Sequence, residues 1–336
     1  MSAAGEPVLV TGGAGFVGSH VVDALVDSGV RVRALVRPST NRRFLDAQRV
    51  ELRDGDITDG SDAGHERLVR ALEGCSTLYH VAGVVTSARK ENYQRVNVEG
   101  ASRIARAAAD AGVRRVILVS SQAAAGPSGS SAPRTERDAE EPMTAYGRSK
   151  LDGEHAVRAV ANERGLQIVI VRPPAVYGPR DRAFVGLFKL IRLGIVPLHG
   201  AAHSQRISIV HAADLAHGIV LAATRAPSGA TYFLTDGAQH TAIELAQAIA
   251  RALGKKPAFL TIPLPVLSAL AFAAEIGERV TGRAATVTRE RLRQWTVPYW
   301  TISDARARAE IGYAPSRDLV AGMAETAAWY RSAGWL

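Results

Sequence analysis

The chain has 336 residues, of which 47% are hydrophobic; this length and composition predict about two folded domains and exclude a disordered protein. Its formal net charge of +9 comes almost wholly from scattered arginines, without a basic run interleaved with aromatics, so we expect no nucleic-acid partner. The single cysteine, Cys75, excludes an intrachain disulfide, and the first residues lack the features of a signal peptide. Together these features favour a cytoplasmic protein.

Short apolar runs alternate with helical patterns over the first half of the chain. The apolar runs predict six strands, namely Val8–Val10, Val30–Val36, Val50–Arg53, Thr77–Ala82, Arg115–Ser120 and Gln167–Val171. Helical patterns lie between them, namely Phe16–Asp27, a helix ending over Leu68–Glu73, Tyr93–Ala111 and Tyr146–Arg164. Residues 122–143 are rich in Ala, Gly, Ser, Pro and charge, and predict a long functional loop. Strands that alternate with helices predict an α/β fold with a doubly wound parallel sheet.

The pattern changes after Arg172, where prolines and glycines become dense and strands become sparse. A capping box over Thr241–Glu244 opens one helix, and Asp318–Tyr330 predicts a final amphipathic helix. We therefore predict a first domain over residues 1–172, to which the chain returns near 207–235. Residues 173–336 are expected to form mostly a second, smaller and mainly helical domain.

One apolar stretch, residues 258–274, needs its own interpretation. Pro263 and Pro265 interrupt it, and the uninterrupted part is shorter than the roughly 20 residues that span a bilayer. We expect no stable membrane insertion, with a peripheral contact at a membrane surface as the alternative. Its segments Ile262–Leu267 and Leu270–Ala273 suit either the wall of an apolar cleft or the protein core.

A glycine-rich turn follows the first predicted strand. Gly12, Gly15 and Gly18 are spaced three apart and lead into the helix that begins at Phe16 and Val17. Glycines allow a sharp turn and the close approach of a pyrophosphate, which the free N–H groups at the helix start then face. In this strand–turn–helix context the motif predicts dinucleotide binding rather than a purely structural turn.

The end of the second strand bears on which dinucleotide would bind. An acidic residue at this position binds the ribose hydroxyls of NAD, whereas an arginine accepts the 2′-phosphate of NADP. Here Val36 occupies the acidic position and Arg37 follows it, which favours NADP(H) and leaves NAD(H) as the alternative. Asp56 suits either a contact with the adenine amino group or an ordinary turn.

A tyrosine and a lysine lie four residues apart at the start of the predicted helix after the long loop. Tyr146 and Lys150 then share one helix face, where an ammonium lowers the pKa of a phenol. A phenol tuned in this way exchanges a proton with an alcohol or ketone. Ser121, just past the fifth strand, is placed to hold the same substrate oxygen.

The order and spacing of seven motifs resemble the extended short-chain dehydrogenase/reductases. The motifs are Thr11–Gly18, Asp56–Asp59, His80–Gly83, Asn97, Val119–Ser121, Tyr146-x-x-x-Lys150 and Arg172–Pro179. The resemblance implies a Rossmann domain, a C-terminal substrate domain and a homodimer formed through the helices at 93–111 and 146–164. It implies catalytic roles for Ser121, Tyr146 and Lys150, and a place for Asn97 in a water chain, although Asn97 equally suits a structural role. It also implies that further residues contact the cofactor, namely Ile57, Ala82, Gly83, Lys150, Pro173 and Val176.

The substrate class follows from finer features of the same resemblance. The strand ending at Arg37 and the segment Ile209–Asp214 are similar to the dihydroflavonol 4-reductase and 3β-hydroxysteroid dehydrogenase branch. We therefore expect NADPH-dependent reduction of a ketone or aldehyde on an apolar small molecule, with no metal. Arg206 suits a substrate diphosphate, so a nucleotide-sugar epimerase or dehydratase with retained NAD is the alternative. A cofactor-sensing protein without turnover is a third interpretation, which the intact Ser121, Tyr146 and Lys150 set disfavours.

Overall fold

A parallel seven-stranded sheet forms the centre of the chain in the computed structural model, which describes residues 5–281 and 288–336. Residues 1–4 of the first predicted domain and residues 282–287 of the second lie outside the described residues. The strands are β1 Val8–Thr11, β2 Val32–Val36, β3 Val50–Asp54, β4 Thr77–His80, β5 Arg115–Val119, β6 Gln167–Arg172, β7 Ala175–Tyr177, β8 Ile195–His199, β9 Arg206–Ile207, β10 Ile209–His211, β11 Thr231–Phe233, β12 Ala258–Ile262 and β13 Tyr299–Trp300. The central sheet has the order β3-β2-β1-β4-β5-β6-β11. This is the doubly wound α/β fold that the sequence predicted.

The helices cover both faces of this sheet and form much of the C-terminal region. They are α1 Phe16–Asp27, α2 Asp62–Leu72, α3 Glu91–Tyr93, α4 Ala101–Asp110, α5 Gln122–Ala125, α6 Ala145–Arg164, α7 Val185–Arg192, α8 Ala212–Arg225, α9 Ala242–Leu253, α10 Leu264–Thr281, α11 Arg289–Thr296, α12 Ala305–Ile311 and α13 Leu319–Ser332. A π-helical segment, Gln94–Gly100, joins α3 to α4, and a 3₁₀ turn follows β8.

The sheet is buried on both faces because its strands are apolar on both sides. Along β1, Val8 and Val10 belong to the core that contains residues of α1 and α8, whereas Leu9 belongs to the core that contains residues of α2, α4 and α6. Strands buried in this way read as continuous apolar runs in the sequence. The chain returns to the sheet after its excursion, since α8 packs against α1 and β11 pairs with β6.

Two predicted elements differ from the observed structure. The single helix expected over Tyr93–Ala111 is interrupted by the π-helical segment, which wraps an extra residue into a turn and turns the side chain of Asn97 inward. The long loop expected over 122–143 begins with α5, whose first turn is capped by the Ser121 hydroxyl, which accepts a hydrogen bond from the N–H of Ala123.

The C-terminal region has its own small core between α7, α9 and α13, centred on residues such as Phe188, Ile249 and Met323. The capping box is confirmed, because Thr241 and Glu244 exchange side-chain-to-backbone hydrogen bonds at the start of α9. The final helix is confirmed with Asp318 as its N-cap. Three two-stranded parallel pairs, β7–β10, β8–β12 and β9–β13, complete the region.

The two locations expected for the segments Ile262–Leu267 and Leu270–Ala273, the protein core and the wall of a cleft, are wrong. Strand β12 and the first turns of α10 are mostly exposed, so apart from the buried Ala271 the stretch 258–274 does not belong to the core, and it does not line the large cavity described below. Leu270 and Phe272, for example, are 56% and 52% exposed. Within residues 5–281 and 288–336, no helix combines the length and apolarity needed to cross a membrane.

Candidate active site

A cavity of about 1560 Å³ opens at the carboxyl edge of the central sheet. Its wall combines the start of α1, the segment after β4, the end of β5, the start of α6, the segment after β6, and α11. Eight of the predicted site residues line it, namely Phe16, Val17, Gly83, Ser121, Tyr146, Lys150, Pro173 and Val176. The crevice beyond the carboxyl ends of parallel strands is where open α/β sheets bind ligands.

The glycine turn brings the start of α1 to this cavity. Gly12 has a φ of +71°, and a Cβ atom there would lie 2.8 Å from the backbone of Ala82. A Cβ atom at Gly18 would lie 2.0 Å from the carbonyl oxygen of Gly12. Both positions therefore require glycine, because a side chain would push β1, α1 and the segment after β4 apart.

The first turn of α1 fits a pyrophosphate. Gly15 is the N-cap and offers no side-chain hydrogen bond, and the first turn carries no acidic residue that would repel an anion. The N–H groups of Phe16 and Val17 thus lack an intrahelical acceptor and lie beside the cavity. Uncapped N–H groups and the positive end of the helix dipole together favour phosphate oxygens at this point.

Ser121 and Tyr146 meet at the centre of the cavity wall. Both side chains line the cavity, and the ring of Tyr93 lies 6.2 Å from that of Tyr146, centroid to centroid. Burial raises the pKa of Tyr146, and the nearby Ser121 hydroxyl opposes that rise. Burial is the largest influence, so the pKa of Tyr146 lies above its ordinary value, whereas the sequence predicted a lowered one.

Lys150 lies one helical turn after Tyr146 and is buried. Its Nζ atom donates a hydrogen bond to the carbonyl oxygen of Val119 at 2.8 Å, two residues before Ser121. Burial lowers the pKa of Lys150 to about 8, and the negative charge of Glu154 opposes this effect. The lysine is therefore held at the end of β5 beside the Ser121–Tyr146 pair.

Asn97 is buried and its side chain is fully engaged. Its Oδ1 atom accepts a hydrogen bond from the N–H of Val84 at 2.8 Å, and its Nδ2 atom donates to the Val84 carbonyl oxygen at 3.0 Å and to Ser149 Oγ at 2.9 Å. These contacts attach the segment after β4, which includes Gly83, to α6. The structure thus gives Asn97 a positioning role, and its part in a water chain stays a prediction.

A buried ion pair includes Glu154, which lies one turn of α6 after Lys150, and the sequence analysis did not single it out. Arg172 donates from Nε and Nη2 to the two carboxylate oxygens of Glu154, at 2.9 and 2.6 Å. Ser120 also donates to Glu154, and Arg172 reaches Glu140 at 3.0 Å. The available signal was spacing, because Tyr146, Lys150 and Glu154 repeat at four-residue intervals along one face of α6.

The residues expected around the adenosine end lie at the ends of β2 and β3. Val36 is buried at the end of β2 and Arg37 is exposed directly after it. Asp56 closes a local turn by accepting from the N–H and hydroxyl of Thr58, which matches the turn interpretation and leaves its second carboxylate oxygen for a ligand. Ile57 is in the core with its side chain 7% exposed.

The outer wall of the cavity comes from residues that the sequence did not indicate. Arg291 on α11 donates to the hydroxyl of Thr86 at 2.6 Å, across from the segment after β4. Glu290 accepts a hydrogen bond from the N–H of Ala145 at the start of α6. Trp300 on β13 also lines the cavity. No local pattern marks these positions, because α11 reaches the site from about 145 residues further along the chain.

Arg206, which the sequence proposed for a substrate diphosphate, lies outside this cavity, and so do His211 and Asp214 of the segment Ile209–Asp214. Arg206 on β9 forms an ion pair with Glu244 at 3.6 Å and is not among the described residues that line the cavity. His211 is buried at the start of α8, and burial lowers its pKa to about 4. Asp214 lies in the first turn of α8 and accepts hydrogen bonds from Ser316 and Arg317, which ties α8 to the segment before α13.

Three known proteins are similar to this chain over nearly its whole length. The chain is 34% identical to a ceramide reductase of Caulobacter vibrioides, over 98% of this chain and 96% of that protein. It is 32% identical to a 4-hydroxy-2-methyl-3-oxo-4-farnesyl-3,4-dihydroquinoline-1-oxide ketoreductase of Stigmatella aurantiaca, over 91% of each chain. Its fold matches the crystal structure of gox2253 with a TM-score of 0.81 and 30% identity, covering 98% of this chain and 99% of the other.

A family model decides the classification. Residues 8–234, which include β1, the glycine turn, the Ser121–Tyr146–Lys150 group and β11, match the model described as the NAD dependent epimerase/dehydratase family. All seven strands of the central sheet lie within the matched residues. The chain therefore belongs to the NAD-dependent epimerase/dehydratase family of short-chain dehydrogenase/reductases, and it is an NAD(P)-dependent oxidoreductase of that type.

Proposed function

We propose that this protein reduces a ketone or aldehyde on an apolar small molecule with NADPH. The observation that carries the proposal is that Ser121 and Tyr146 lie together in the wall of the cavity that the start of α1 also lines. One cavity thus offers an anion site for a dinucleotide and, further along, two hydroxyl groups for a carbonyl oxygen. The relatives named as ceramide reductase and ketoreductase support reduction.

The roles of the three polar residues follow from their contacts. Ser121 donates a hydrogen bond to the substrate oxygen and polarises the carbonyl group. Tyr146 donates its phenolic proton to the same oxygen, and its raised pKa keeps that proton available at neutral pH. The ammonium of Lys150 stabilises the phenolate that this transfer leaves behind. When bound, the reduced nicotinamide supplies the hydride that the carbonyl carbon accepts.

The preference for NADPH rests on the residues after β2. The acidic position at the end of β2 holds the buried side chain of Val36, so no carboxylate there repels a 2′-phosphate. The guanidinium of Arg43 stacks on Phe44 at 4.3 Å and on Trp335 at 5.1 Å, and Arg42 faces Asp54 at 3.9 Å. Arg37 is exposed and, within the part of the chain that the structure describes, forms no ion pair, so its charge is available to the phosphate.

The apolar character of the substrate is proposed from the apolar part of the cavity lining. Val85, Met143, Phe184 and Trp300 contribute apolar surface to it. Arg206, which a nucleotide-sugar diphosphate would need, pairs with Glu244 instead. Within the same proposal the enzyme acts as a cytoplasmic homodimer formed through α4 and α6.

The test compares two tyrosine variants in the same cavity. Tyr146→Phe removes the donated proton and is expected to lower kcat by about 1,000-fold. Tyr93→Phe is the matched control, since this ring also lines the cavity beside Tyr146 but has no role in the proton transfer. NADPH oxidation is followed by absorbance with a panel of long-chain and polycyclic ketones, and NADPH affinity is measured by fluorescence titration.

The outcomes separate the proposal from its alternative. Loss of turnover in Tyr146→Phe with NADPH affinity unchanged supports the reductase. Unchanged turnover in that variant contradicts the mechanism. Stoichiometric NAD released on denaturation, together with interconversion of a nucleotide sugar, would assign an epimerase instead.

A further inference from the structure

The exposed stretch 258–274 is apolar along its whole length, apart from the hydroxyl groups of Thr261 and Ser268. These seventeen consecutive residues contain no charged side chain. Through the pairing of β12 with β8 they continue into Leu193 and Ile195, which are 73% and 43% exposed. We use the name apolar patch for the six exposed side chains of these neighbouring segments, namely Leu193, Ile195, Phe259, Leu260, Leu270 and Phe272.

This surface is unlike that of an ordinary water-facing helix. In the first half of α10, Leu264, Val266, Leu270 and Phe272 are exposed, and Ala271 alone among residues 264–273 is fully buried. Surface helices normally present polar residues to water and bury one apolar stripe. A helix that is apolar all round, and exposed, requires an apolar partner to cover it.

Basic side chains border the apolar patch on one side. Lys255 and Lys256 directly precede β12, and Lys189 and Arg192 lie in the last turn of α7. The two basic segments converge, because the N–H of Ala258 donates to the carbonyl oxygen of Gly194 at 2.8 Å. All four side chains are exposed, and none forms an ion pair with another described residue.

We propose that the apolar patch docks this protein reversibly on the surface of a lipid bilayer that contains anionic phospholipid. Apolar side chains would enter the interface between headgroups and acyl chains, and the lysines and Arg192 would face the phosphates. Self-association through the same patch fits less well, since it would bring two basic borders into one interface, whereas anionic headgroups neutralise them. This docking is peripheral, so it requires no helix that spans the membrane.

The same helix connects the docking surface to the cavity. Glu275 and Glu278, in the second half of α10, line the cavity, and Glu275 pairs with Arg289 at 2.8 Å at the start of α11. Docking through the first half of α10 therefore places the outer wall of the cavity near the membrane. This geometry would let an apolar substrate pass from the lipid phase, but the docking itself does not depend on the proposed reaction.

The experiment measures sedimentation of the full chain with vesicles in the absence of substrate. One vesicle population is phosphatidylcholine alone, and in the other about a third of the lipid is phosphatidylglycerol. We expect strong binding to the anionic vesicles, weak binding to the neutral ones, and weaker binding at high salt. The variant Leu270→Glu/Phe272→Glu is expected to lower the affinity by about 100-fold.

Two further variants separate the contributions and control for nonspecific effects. Lys255→Glu/Lys256→Glu is expected to lower affinity for anionic vesicles by about 30-fold or more and to leave binding to neutral vesicles unchanged. Val320→Glu is the matched control, because Val320 on α13 is 45% exposed and lies outside the apolar patch; it should bind as the wild type does. Circular dichroism and NADPH titration establish that each variant is folded.

Three results would overturn the proposal. The first is a wild-type protein that binds neither kind of vesicle, and the second is equal binding by the wild type and Leu270→Glu/Phe272→Glu. The third is a wild-type dimer in light scattering that Leu270→Glu/Phe272→Glu converts to monomer, without vesicle binding by the wild type. That last result would assign the apolar patch to a second copy of this chain.

Discussion

The Nζ atom of Lys150 donates a hydrogen bond to the carbonyl oxygen of Val119 at 2.8 Å, which fixes the start of α6 against the end of β5. Because Ser121 follows β5 and Tyr146 precedes Lys150 by one turn, this contact sets the relation between the two hydroxyl groups. It also places a cation in a buried position, where its protonation is sensitive to pH.

The pH dependence of reduction should follow Lys150. Burial lowers the pKa of Lys150 to about 8, so its ammonium loses the proton as the pH rises through about 8. Burial raises the pKa of Tyr146, so its phenol stays protonated over the same range. We expect kcat for carbonyl reduction to be flat below pH 8 and to fall above it, and a pH profile at saturating NADPH checks this.

A lysine-to-arginine variant tests whether that fall belongs to Lys150. Lys150→Arg keeps a positive charge at high pH, because a guanidinium does not lose its proton in this range. Its residual activity should be lower than that of the wild type but should not fall above pH 8. A wild-type profile that stays flat up to about pH 10 would contradict the assigned role.

Replacing Arg37 should change cofactor choice rather than catalysis. Arg37→Ala removes the exposed guanidinium proposed to hold the 2′-phosphate, and the KM for NADPH should rise about tenfold or more. The KM for NADH and kcat should stay nearly constant. Arg31→Ala is the control, since Arg31 directly precedes β2 and so lies at the opposite end of the strand from Arg37. Equal losses with both cofactors in Arg37→Ala would sink the 2′-phosphate role.

Asn97 is expected to matter for stability as well as for cofactor binding. Asn97→Ala removes the bonds to both backbone groups of Val84 and to Ser149, and should lower the free energy of unfolding by about 2–3 kcal/mol. The KM for NADPH should rise too, because Gly83 lies in the released segment. Denaturant unfolding measures the first effect and steady-state kinetics the second.

The exposed Asn41 provides the comparison for that variant. Asn41→Ala removes one surface contact with the N–H of Arg43 and should change stability by less than about 0.5 kcal/mol. An Asn97→Ala protein as stable as Asn41→Ala would show that the buried contacts carry no net stabilisation.

Much of the central sheet was predictable because its signals are local. Apolar runs such as Val8–Val10 and the periodicity of α1 each depend on neighbouring residues, and so do the spacings of the glycine turn and of Tyr146 and Lys150. The interruption of the helix around Asn97 was not predictable from those signals. There the side chain of Asn97 contacts Val84 and Ser149. Ser149 lies on α6, about 50 residues further along the chain.

The sequence by itself determined the alternation of strands and helices, the glycine turn and the placing of Ser121, Tyr146 and Lys150 at the carboxyl edge of the sheet, since short-range spacing specifies these features. The tertiary structure alone decided which groups meet them. It paired Glu154 with Arg172, engaged Arg206 with Glu244, and left residues 258–274 exposed. An apolar run looks the same in a sequence whether protein or solvent covers it, because burial depends on contacts between segments far apart in the chain.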